Sequence, residues 1–410
     1  MSFFWEQLGL VWQSIASVWA WSWWIVLPVI ALIILLELWE QYKRQQFYQN
    51  IPWKLLEIQV PKNILKTPKA MEQVFSAAYL EGEKHWMAFE AVGNAGETHF
   101  YLRVPSPYRN MMESAIYAQY PEAEISEVDD YLQQMPRVLP NSDFDIFGVE
   151  QTLGNGEFAP IRTYKDFEDS VEERRIDTIA LLMESLSKLK DSEQMWFQFV
   201  IKPVDDKWKK SAEAMAHKLM GIEPDKPKSK NPFSGFSPGV SFGEVVRAPF
   251  EHPSLEAKKP TEAAKTPKNM KPGEKDLAEG IRMKMAKLAF QTTIRFLYVD
   301  RRASFAKDNT NAAAAFFRQF NTQHLNYFKV DKETMTAGAK GLFKNWKLAF
   351  RKQAFYDAYA HARPRNNKCV LNTEELATIY HFPINAVGTT ELAKVPSRKA
   401  GPPASLPLVD

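Results

Sequence analysis

An uncharged apolar run near the start of the chain, VWAWSWWIVLPVIALIILL from Val18 to Leu36, constrains its architecture most strongly. At a rise of about 1.5 Å per residue, a helix of this length crosses a hydrocarbon layer of about 30 Å. Tryptophans cluster between Trp19 and Trp24, and Trp39 and Tyr42 follow the run, as in the aromatic belts of membrane spans. The sequence therefore predicts a transmembrane helix over about residues 18–39.

A cleaved signal peptide is the competing interpretation of this run, but it needs basic residues before the apolar segment and small residues after it. The first basic residue is Lys43, and the bulky sequence LELWEQY follows the run. Because Lys43 and Arg44 lie just after the span, we predict a single-pass protein of the inner (cytoplasmic) cell membrane, with its N-terminus outside and its C-terminal domains cytoplasmic. Residues 1–48 form this anchoring region, and its first part is expected to lie along the outer interface or to extend the span.

The cysteine content agrees with a cytoplasmic location for most of the chain. Cys369 is the single cysteine, so no internal disulfide can form, as is usual in reducing compartments. Its place beside an apolar run predicts a small buried side chain rather than a reactive nucleophile. The net charge of +3 excludes neither a nucleic acid nor a membrane partner, so basic surfaces have to be identified locally.

Residues 53–132 follow the order β-α-β-β-α-β. Apolar runs predict four strands, at 54–61, 85–93, 97–105 and 123–131. Thr67-Pro68 and Ser106-Pro107 each predict the start of a helix, and the sequence NAG at 94–96 predicts a hairpin turn. Helical spacing predicts one buried face for the first of these helices, formed by Met71, Val74, Phe75 and Ala78. This order predicts a ferredoxin-like α+β unit with an antiparallel sheet.

Residues 140–383 predict a second α+β domain of the same kind with added helices. The predicted strands cover 143–153, 193–203, 291–300 and 368–373. The predicted helices cover 176–190, 208–221, 277–290 and 305–320. The intervening stretch 222–275 is rich in Pro and Lys with little apolar periodicity, which predicts a flexible, disordered insert.

The predicted fold class is therefore α+β, with an N-terminal transmembrane helix followed by two ferredoxin-like (βαββαβ) cytoplasmic units. The second unit carries the added helices and the disordered insert, and residues 384–410 are expected to form an extended tail. Near the end, CVLNTEELATIYHFP predicts a short helix with a capping box, in which Asn372 caps the helix and Glu375 reaches back. Leu371 and Leu376 have the spacing of a hydrophobic staple.

Motifs for nucleotide hydrolysis, nucleophilic catalysis and metal binding of the forms G-x-x-x-x-G-K-[ST], G-x-S-x-G, H-E-x-x-H and C-x-x-C do not occur. His85 and His99 fall in successive predicted strands and are candidates to face each other, but a metal site would need a third ligand. The acidic pair Asp129-Asp130 is expected at a solvated strand end. We therefore predict a non-enzymatic protein with no catalytic residues, no cofactor and no metal.

A candidate binding surface lies in the stretch KNWKLAFRKQAFYDAYAHARPRNNK, at 344–368. Trp346 and Phe350 fit one face of a helix, and the basic residues fit the other. Cations beside stacking rings suit single-stranded nucleic acid or an anionic lipid surface, although an amphipathic surface helix explains the same pattern without any ligand. The candidate contacts, with DNA binding expected to be weak and salt-sensitive, are Lys344, Lys347, Arg351 and Lys352.

Several segments together carry a family resemblance: LLEIQVPKNILKTPKAMEQVFSAAY, HFYLRVPSPYRNMMESAIYAQYPEAEISEVDDY, IRFLYVDRR, FRQFNTQHLNYFK, and VLNTEELATIYHFP followed by PPASLP. The chain resembles a family of bacterial membrane-anchored modules that is common in candidate-phyla bacteria. In that family the module precedes or accompanies an ATPase related to conjugative coupling proteins and HerA-like DNA translocases of type IV secretion.

The resemblance implies a non-enzymatic membrane anchor or platform for such an ATPase or its DNA. Where the fused proteins continue into a nucleotide-binding domain, this chain ends at Asp410, so the expected partner is a separate coupling-type ATPase. DNA and a second copy of the chain are further candidate partners. A general cell-envelope scaffold or receptor unrelated to DNA transport is the main alternative function. A membrane-tethered enzyme with an unrecognised site is a further alternative, and a cleft with converging titratable groups would favour it.

Overall fold

The computed structural model describes residues 22–36, 38, 39, 43, 51–61, 66–80, 85–167, 176–220, 272–338, 341, 343–365, 369–384 and 391–392. The predicted outer segment 1–17, the insert as far as residue 271 and the tail apart from 384, 391 and 392 lie outside these ranges.

The N-terminal helical segment consists of residues 22–36, 38, 39 and 43. It coincides with the described part of the predicted span, and most of its large apolar side chains are 45–61% exposed. Within the part of the chain that the structure describes, no helix combines the length and the apolar character that a membrane crossing requires.

The other elements form a mixed α+β architecture on one largely antiparallel sheet. Its strands are β1 (Trp53–Gln59), β2 (Met87–Asn94), β3 (Glu97–Pro105), β4 (Glu124–Glu127), β5 (Phe144–Leu153), β6 (Gln194–Pro203), β7 (Ala289–Arg301), β8 (Phe328–Val330), β9 (Val370–Asn372) and β10 (Glu391–Leu392). The α-helices are α1 (Pro68–Ala77), α2 (Arg109–Gln119), α3 (Ala180–Ser187), α4 (Lys207–Leu219), α5 (Pro272–Met285), α6 (Asn311–Arg318), α7 (Lys344–Ala360) and α8 (Thr373–Ile379).

The main path of the sheet runs β4-β1-β3-β2-β6-β7-β5-β8. If the four strands of each half are numbered in chain order, both halves read 2-3-1-4 outward from the centre. The halves meet where β2 pairs antiparallel with β6, from Met87 opposite Ile201 to Asn94 opposite Gln194. The two halves therefore share a strand order and meet through corresponding, antiparallel strands.

The predicted hairpin of the first half is confirmed. Strands β2 and β3 are joined by Ala95 and Gly96, with Asn94 paired to Glu97. Both loop residues have positive φ, 49° and 85°, as the favoured two-residue hairpin turn requires. The predicted buried face of α1 is also confirmed, because Met71, Val74, Phe75 and Ala78 are all buried.

The second half differs from the prediction at several places. The fourth strand of this half is the short β8, which pairs with β5. The segment 368–373 was predicted to be this fourth strand, but it contributes β9, which pairs with β7. Helix α3 is shorter than the predicted 176–190, and Ile176 is 62% exposed. The predicted insert ends earlier, because α5 begins at Pro272. A three-residue strand is too short to produce an alternation in the sequence, which is why β8 was missed.

One face of the sheet carries the main core, packed against helices that include α1, α2, α3 and α6. The closing segment, residues 369–383, runs through this core and is buried at every position. Its strand β9 belongs to the second half, while the Tyr380 ring packs against Phe89 and Phe100 of the first half, with centroids 5.4 and 6.0 Å apart. The closing segment therefore ties the two halves together.

Candidate functional site

Helix α7 lies over the opposite face of the sheet. Its buried stripe consists of Lys352, Phe355, Tyr356 and Tyr359. Gly148 of β5 allows this close approach, since a Cβ atom there would lie 2.4 Å from the Phe355 ring. The helix is therefore fitted to the sheet over its C-terminal half.

A row of polar side chains crosses the sheet beneath the end of α7. The strand register places Glu90 of β2, Gln198 of β6, Arg295 of β7 and Glu150 of β5 side by side. The Gln198 amide donates to Glu90 at 2.9 Å, and Arg295 donates to Gln198 at 3.1 Å and to Glu150 at 2.9 Å. Because directly opposed residues share a face of the sheet, the row forms one hydrogen-bonded line across the seam.

The polar row also holds the C-terminal end of α7. Arg295 donates to the carbonyls of Ala358 and Arg363 at 3.2 and 2.6 Å, and Gln198 donates to that of Tyr359 at 3.0 Å. Carbonyls at the end of a helix lack intrahelical partners and carry partial negative charge. The buried Arg295 guanidinium gives these carbonyls hydrogen-bond donors and places a positive charge beside them. It therefore fixes the end of the helix to the sheet.

Arg103 extends the polar row toward the 128–135 segment. It donates to Glu90 at 3.2 Å and to Asp130 at 2.6 Å, and the Tyr131 hydroxyl donates to Glu90 at 2.9 Å. Burial, reinforced by the charge of Glu90, raises the pKa of Tyr131 and of Tyr359 well above the ordinary range, so both phenols stay protonated. Asp130 was expected at a solvated strand end, but it belongs to this network. Its partner Arg103 lies on β3, 27 residues away, so the local sequence did not reveal the contact.

The start of α7 is exposed. Phe343, Trp346 and Phe350, which we call the aromatic ridge, are 67%, 70% and 67% exposed. The Trp346 and Phe350 rings stack with centroids 6.0 Å apart and planes inclined by 19°. At about 100° per residue, the ridge lies on the side of the helix opposite the buried stripe. One aromatic face of the helix therefore points away from the protein.

The four predicted basic contacts separate into two groups. Lys344 and Lys347 are exposed on the same turns as the ridge. Arg351 is half-buried and donates to the carbonyl of Met335 at 3.1 Å. Lys352 is buried in an ion pair with Asp145, and its ammonium lies 5.9 Å from the centre of the Phe305 ring. Only the first pair therefore accompanies the ridge at the surface.

The hypothesis that His85 and His99 face each other is wrong. His99 is opposite Val92 in the β2–β3 pairing, and His85 precedes β2. The His99 ring lies 2.7 Å from Glu57, and this hydrogen bond holds the pKa of the Glu57 carboxyl below its usual range. In the described ranges, no group of three or more His, Cys, Asp or Glu side chains is placed to hold a metal ion.

A second buried charge cluster lies under the closing segment. The Lys284 ammonium donates to the carbonyl of Val370 at 2.7 Å and lies 3.1 Å from the Glu375 carboxylate, with both side chains fully buried. Glu375 also completes the predicted capping box with Asn372, through hydrogen bonds of 2.8 and 2.9 Å. Burial raises the pKa of the Cys369 thiol to about 12, and the predicted buried position of this cysteine is confirmed.

Sequence reasoning missed the polar row, although each member stands out in its strand. Glu90, Gln198 and Arg295 interrupt the apolar runs MAFEAVG, MWFQFV and TTIRFLYV. A charged or amide side chain within such a run requires a buried partner. That signal predicts a network but cannot identify its partners, because the partners come from strands far apart in sequence.

Fold and site together define a mixed α+β protein whose two halves share one sheet and whose second face carries a helix with an exposed aromatic end. The chain belongs to the family described as Domain of unknown function (DUF8128), which matches residues 37–395. This match includes both halves of the sheet, the aromatic ridge and the closing segment. No curated protein matches the chain.

Proposed function

We propose that the chain is a non-enzymatic, membrane-anchored platform, built from two ferredoxin-like units, for a separate DNA-translocating ATPase of the type IV secretion kind or for its DNA. The N-terminal helical segment is its anchor in the inner membrane, and both units lie on the cytoplasmic side. This function rests on the family resemblance of the sequence and on the physical features described below.

The main support for the proposal is that one chain contains both an exposed apolar helix and a single continuous sheet. Most large apolar side chains of residues 22–39 are about half exposed, and leaving such a stretch in water is unfavourable. Insertion into a bilayer removes this apolar surface from water. The positive charges of Lys43 and Arg44 favour the orientation with the sheet in the cytoplasm.

The strand order supports the ferredoxin-like assignment of each half. In both halves the four strands read 2-3-1-4 from the seam outward, and helices cover the main core face. The continuous sheet and the closing segment make the two units one body. A rigid body on a membrane anchor suits the positioning of a large partner.

The buried charges support a structural rather than a catalytic use of the interior. Arg295 is paired with Glu150, Arg103 with Glu90, and Lys284 with Glu375, and all six side chains are buried. Each charge in these pairs is compensated by its partner and needs no bound ligand for that purpose. We therefore expect binding at the surface of the platform.

Affinity capture from native membranes tests the proposed partner. The bait is the full chain with a C-terminal tag, and the matched control fuses residues 1–48 to an unrelated folded domain. We expect a translocase-type ATPase with the full chain but not with the control. Recovery of envelope proteins without any such ATPase would contradict the proposal and favour the scaffold alternative.

A further inference from the structure

We infer that the aromatic ridge, with Lys344 and Lys347, lies against the anionic surface of the same membrane that holds the N-terminal helical segment. The inference rests on the proposed membrane anchoring. It adds a second, lipid-binding contact that sets the orientation of the sheet relative to the bilayer.

The aromatic ridge is exposed to solvent. Phe343, Trp346 and Phe350 are each about two-thirds exposed, although each is a large aromatic side chain. Trp346 stacks on Phe350, its neighbour in the ridge, so this contact does not bury either ring in the core. A contiguous aromatic patch of this kind marks an interaction surface.

Charge identifies the partner as anionic. Lys344 and Lys347 are exposed on the turns that carry the ridge, and no Asp or Glu occurs between Phe343 and Tyr356. Trp and Phe on a helix with exposed lysines are typical of segments that lie in the headgroup region of a membrane. The anionic lipids of the cytoplasmic leaflet attract such lysines.

Geometry favours lipid over single-stranded nucleic acid, whose phosphates carry the same charge. Binding a nucleic acid strand requires a basic groove that follows the backbone. Here Arg351 is engaged by the carbonyl of Met335 and Lys352 by Asp145, so the cations do not continue along the helix. The three rings project from the exposed side of α7, which suits insertion into a flat interface.

The attachment of α7 keeps the ridge outward. Lys352 is held by Asp145, and the polar row holds the far end of the helix through Arg295. The ridge is therefore pre-organised and loses little freedom on binding. An anchor in the same chain also keeps lipid at a high effective concentration.

The test places an environment-sensitive fluorophore beside the ridge in the full chain. Ala354→Cys puts the label on the exposed side of α7, one turn after Phe350, and leaves the ridge intact. Because Cys369 is fully buried, labelling of the folded protein is directed to the introduced thiol. Lys188→Cys, at an exposed position after α3 on the other side of the sheet, is the matched control.

The labelled chain is reconstituted into vesicles of phosphatidylcholine, with or without phosphatidylglycerol. We expect the Ala354→Cys label to shift to shorter emission wavelengths, and its quenching by aqueous iodide to slow several-fold, in the anionic vesicles only. The Lys188→Cys label should be unaffected. Combining the label with Lys344→Gln and Lys347→Gln, or with Trp346→Ser and Phe350→Ser, should abolish the shift.

Four outcomes would overturn the inference. A label that stays accessible in anionic vesicles, while the chain still floats with them, refutes the ridge contact and leaves the anchor intact. A chain that does not float with vesicles refutes the anchoring as well. Equal shielding in vesicles of pure phosphatidylcholine refutes the requirement for anionic lipid. Shielding by a single-stranded oligonucleotide but not by phosphatidylglycerol indicates a nucleic-acid surface.

Discussion

The closing segment and the aromatic ridge are both short, partly helical and rich in large apolar side chains, yet their surroundings are opposite. Every residue of the closing segment is buried, whereas the ridge residues are about two-thirds exposed. The difference lies in the polar partners. The closing segment reaches distant elements through Glu375, which accepts from the backbone of Ile161, and through Thr378, which accepts from the backbone of Tyr164.

Helix α7 shows the same contrast within one element. Its C-terminal half is held by Arg295 and Gln198, while its first two turns carry the ridge. Both faces of this helix carry aromatic rings, so aromatic content alone does not distinguish the buried face. The buried face is the one whose residues also find Asp145, Arg295 and Gln198 as polar partners, and the rings on the other face remain available for binding.

Breaking the buried ion pair under the closing segment should have the largest effect. Replacing Glu375 by Leu leaves the Lys284 ammonium buried without its carboxylate, which costs about 3–5 kcal/mol of unfolding free energy. The double variant Lys284→Met with Glu375→Leu should recover part of this loss, because no unpaired charge remains. The remaining loss reflects the backbone N–H groups of Asn372 and Ile161, which still lack their acceptor. Denaturant titration monitored by tryptophan fluorescence measures both variants, and a double variant less stable than the single one would contradict the assignment.

Removing the guanidinium that holds α7 should have the next largest effect. Arg295→Met removes one of the two guanidinium partners of Glu150, since Arg365 remains, and it removes the side-chain donor to the carbonyls of Ala358 and Arg363. We expect a loss of about 2–4 kcal/mol. Hydrogen exchange should accelerate at the C-terminal end of α7 more than in the closing segment. Arg351→Met, which loses one hydrogen bond at a half-buried site, is the matched control and should cost about 1 kcal/mol or less. Equal losses for the two variants would be incompatible with the role given to Arg295.

The contact of the closing segment with Asp177 predicts that the unfolding free energy falls at acidic pH. Burial alone would raise the pKa of Asp177, but hydrogen bonds from His381 and from the backbone of Ile384 and Ile179 outweigh it and lower the pKa. A carboxyl with a lowered folded-state pKa stabilises the protein above its ordinary value of about 4, and this contribution disappears as the pH falls through the folded-state pKa.

Replacing Asp177 by Asn should therefore lower the unfolding free energy by about 1–2 kcal/mol at neutral pH and flatten its decline below about pH 4. Thermal unfolding from neutral to acidic pH measures this slope. Asp205→Asn is the control, because Asp205 pairs with Lys207 at the surface. An acid slope that is the same in the wild-type and Asp177→Asn proteins would show that Asp177 does not contribute in this way.

Changing the ridge should have the smallest effect on stability. Trp346→Ser and Phe350→Ser remove rings that the fold does not bury, so the unfolding free energy should change by about 0.5 kcal/mol or less. Phe355→Ser on the buried stripe of the same helix should cost several times more, on the order of 3 kcal/mol. Comparable losses on the two faces of α7 would mean that protein covers the ridge.

Local features of the fold were predictable because their causes are local. The capping box of Asn372 and Glu375, the Ala95-Gly96 hairpin and the buried face of α1 each depend on residues close together in sequence. The exposure of Ile176 and the outward direction of the ridge were not predictable in this way. Both depend on what another part of the chain covers, and periodicity carries no information about that.

The candidate site was predicted only in part, because the local sequence does not show which side chains other parts of the chain cover. The stretch 344–368 was identified from its composition, and Lys344 and Lys347 are at the surface. Lys352 was grouped with them because its charge is the same, yet Asp145 draws it inside. An ion pair between residues so far apart leaves no trace in the local sequence.

The seam between β2 and β6 also bears on the solubility of the chain. Two halves with the same strand order that meet through corresponding strands have the arrangement of a symmetric dimer, here within one polypeptide. The long edges of β2 and β6, which could otherwise pair with strands of other molecules, pair with each other at the centre of the sheet. The main path ends in β4 and β8, only four and three residues long, and such short edges discourage growth of the sheet into aggregates.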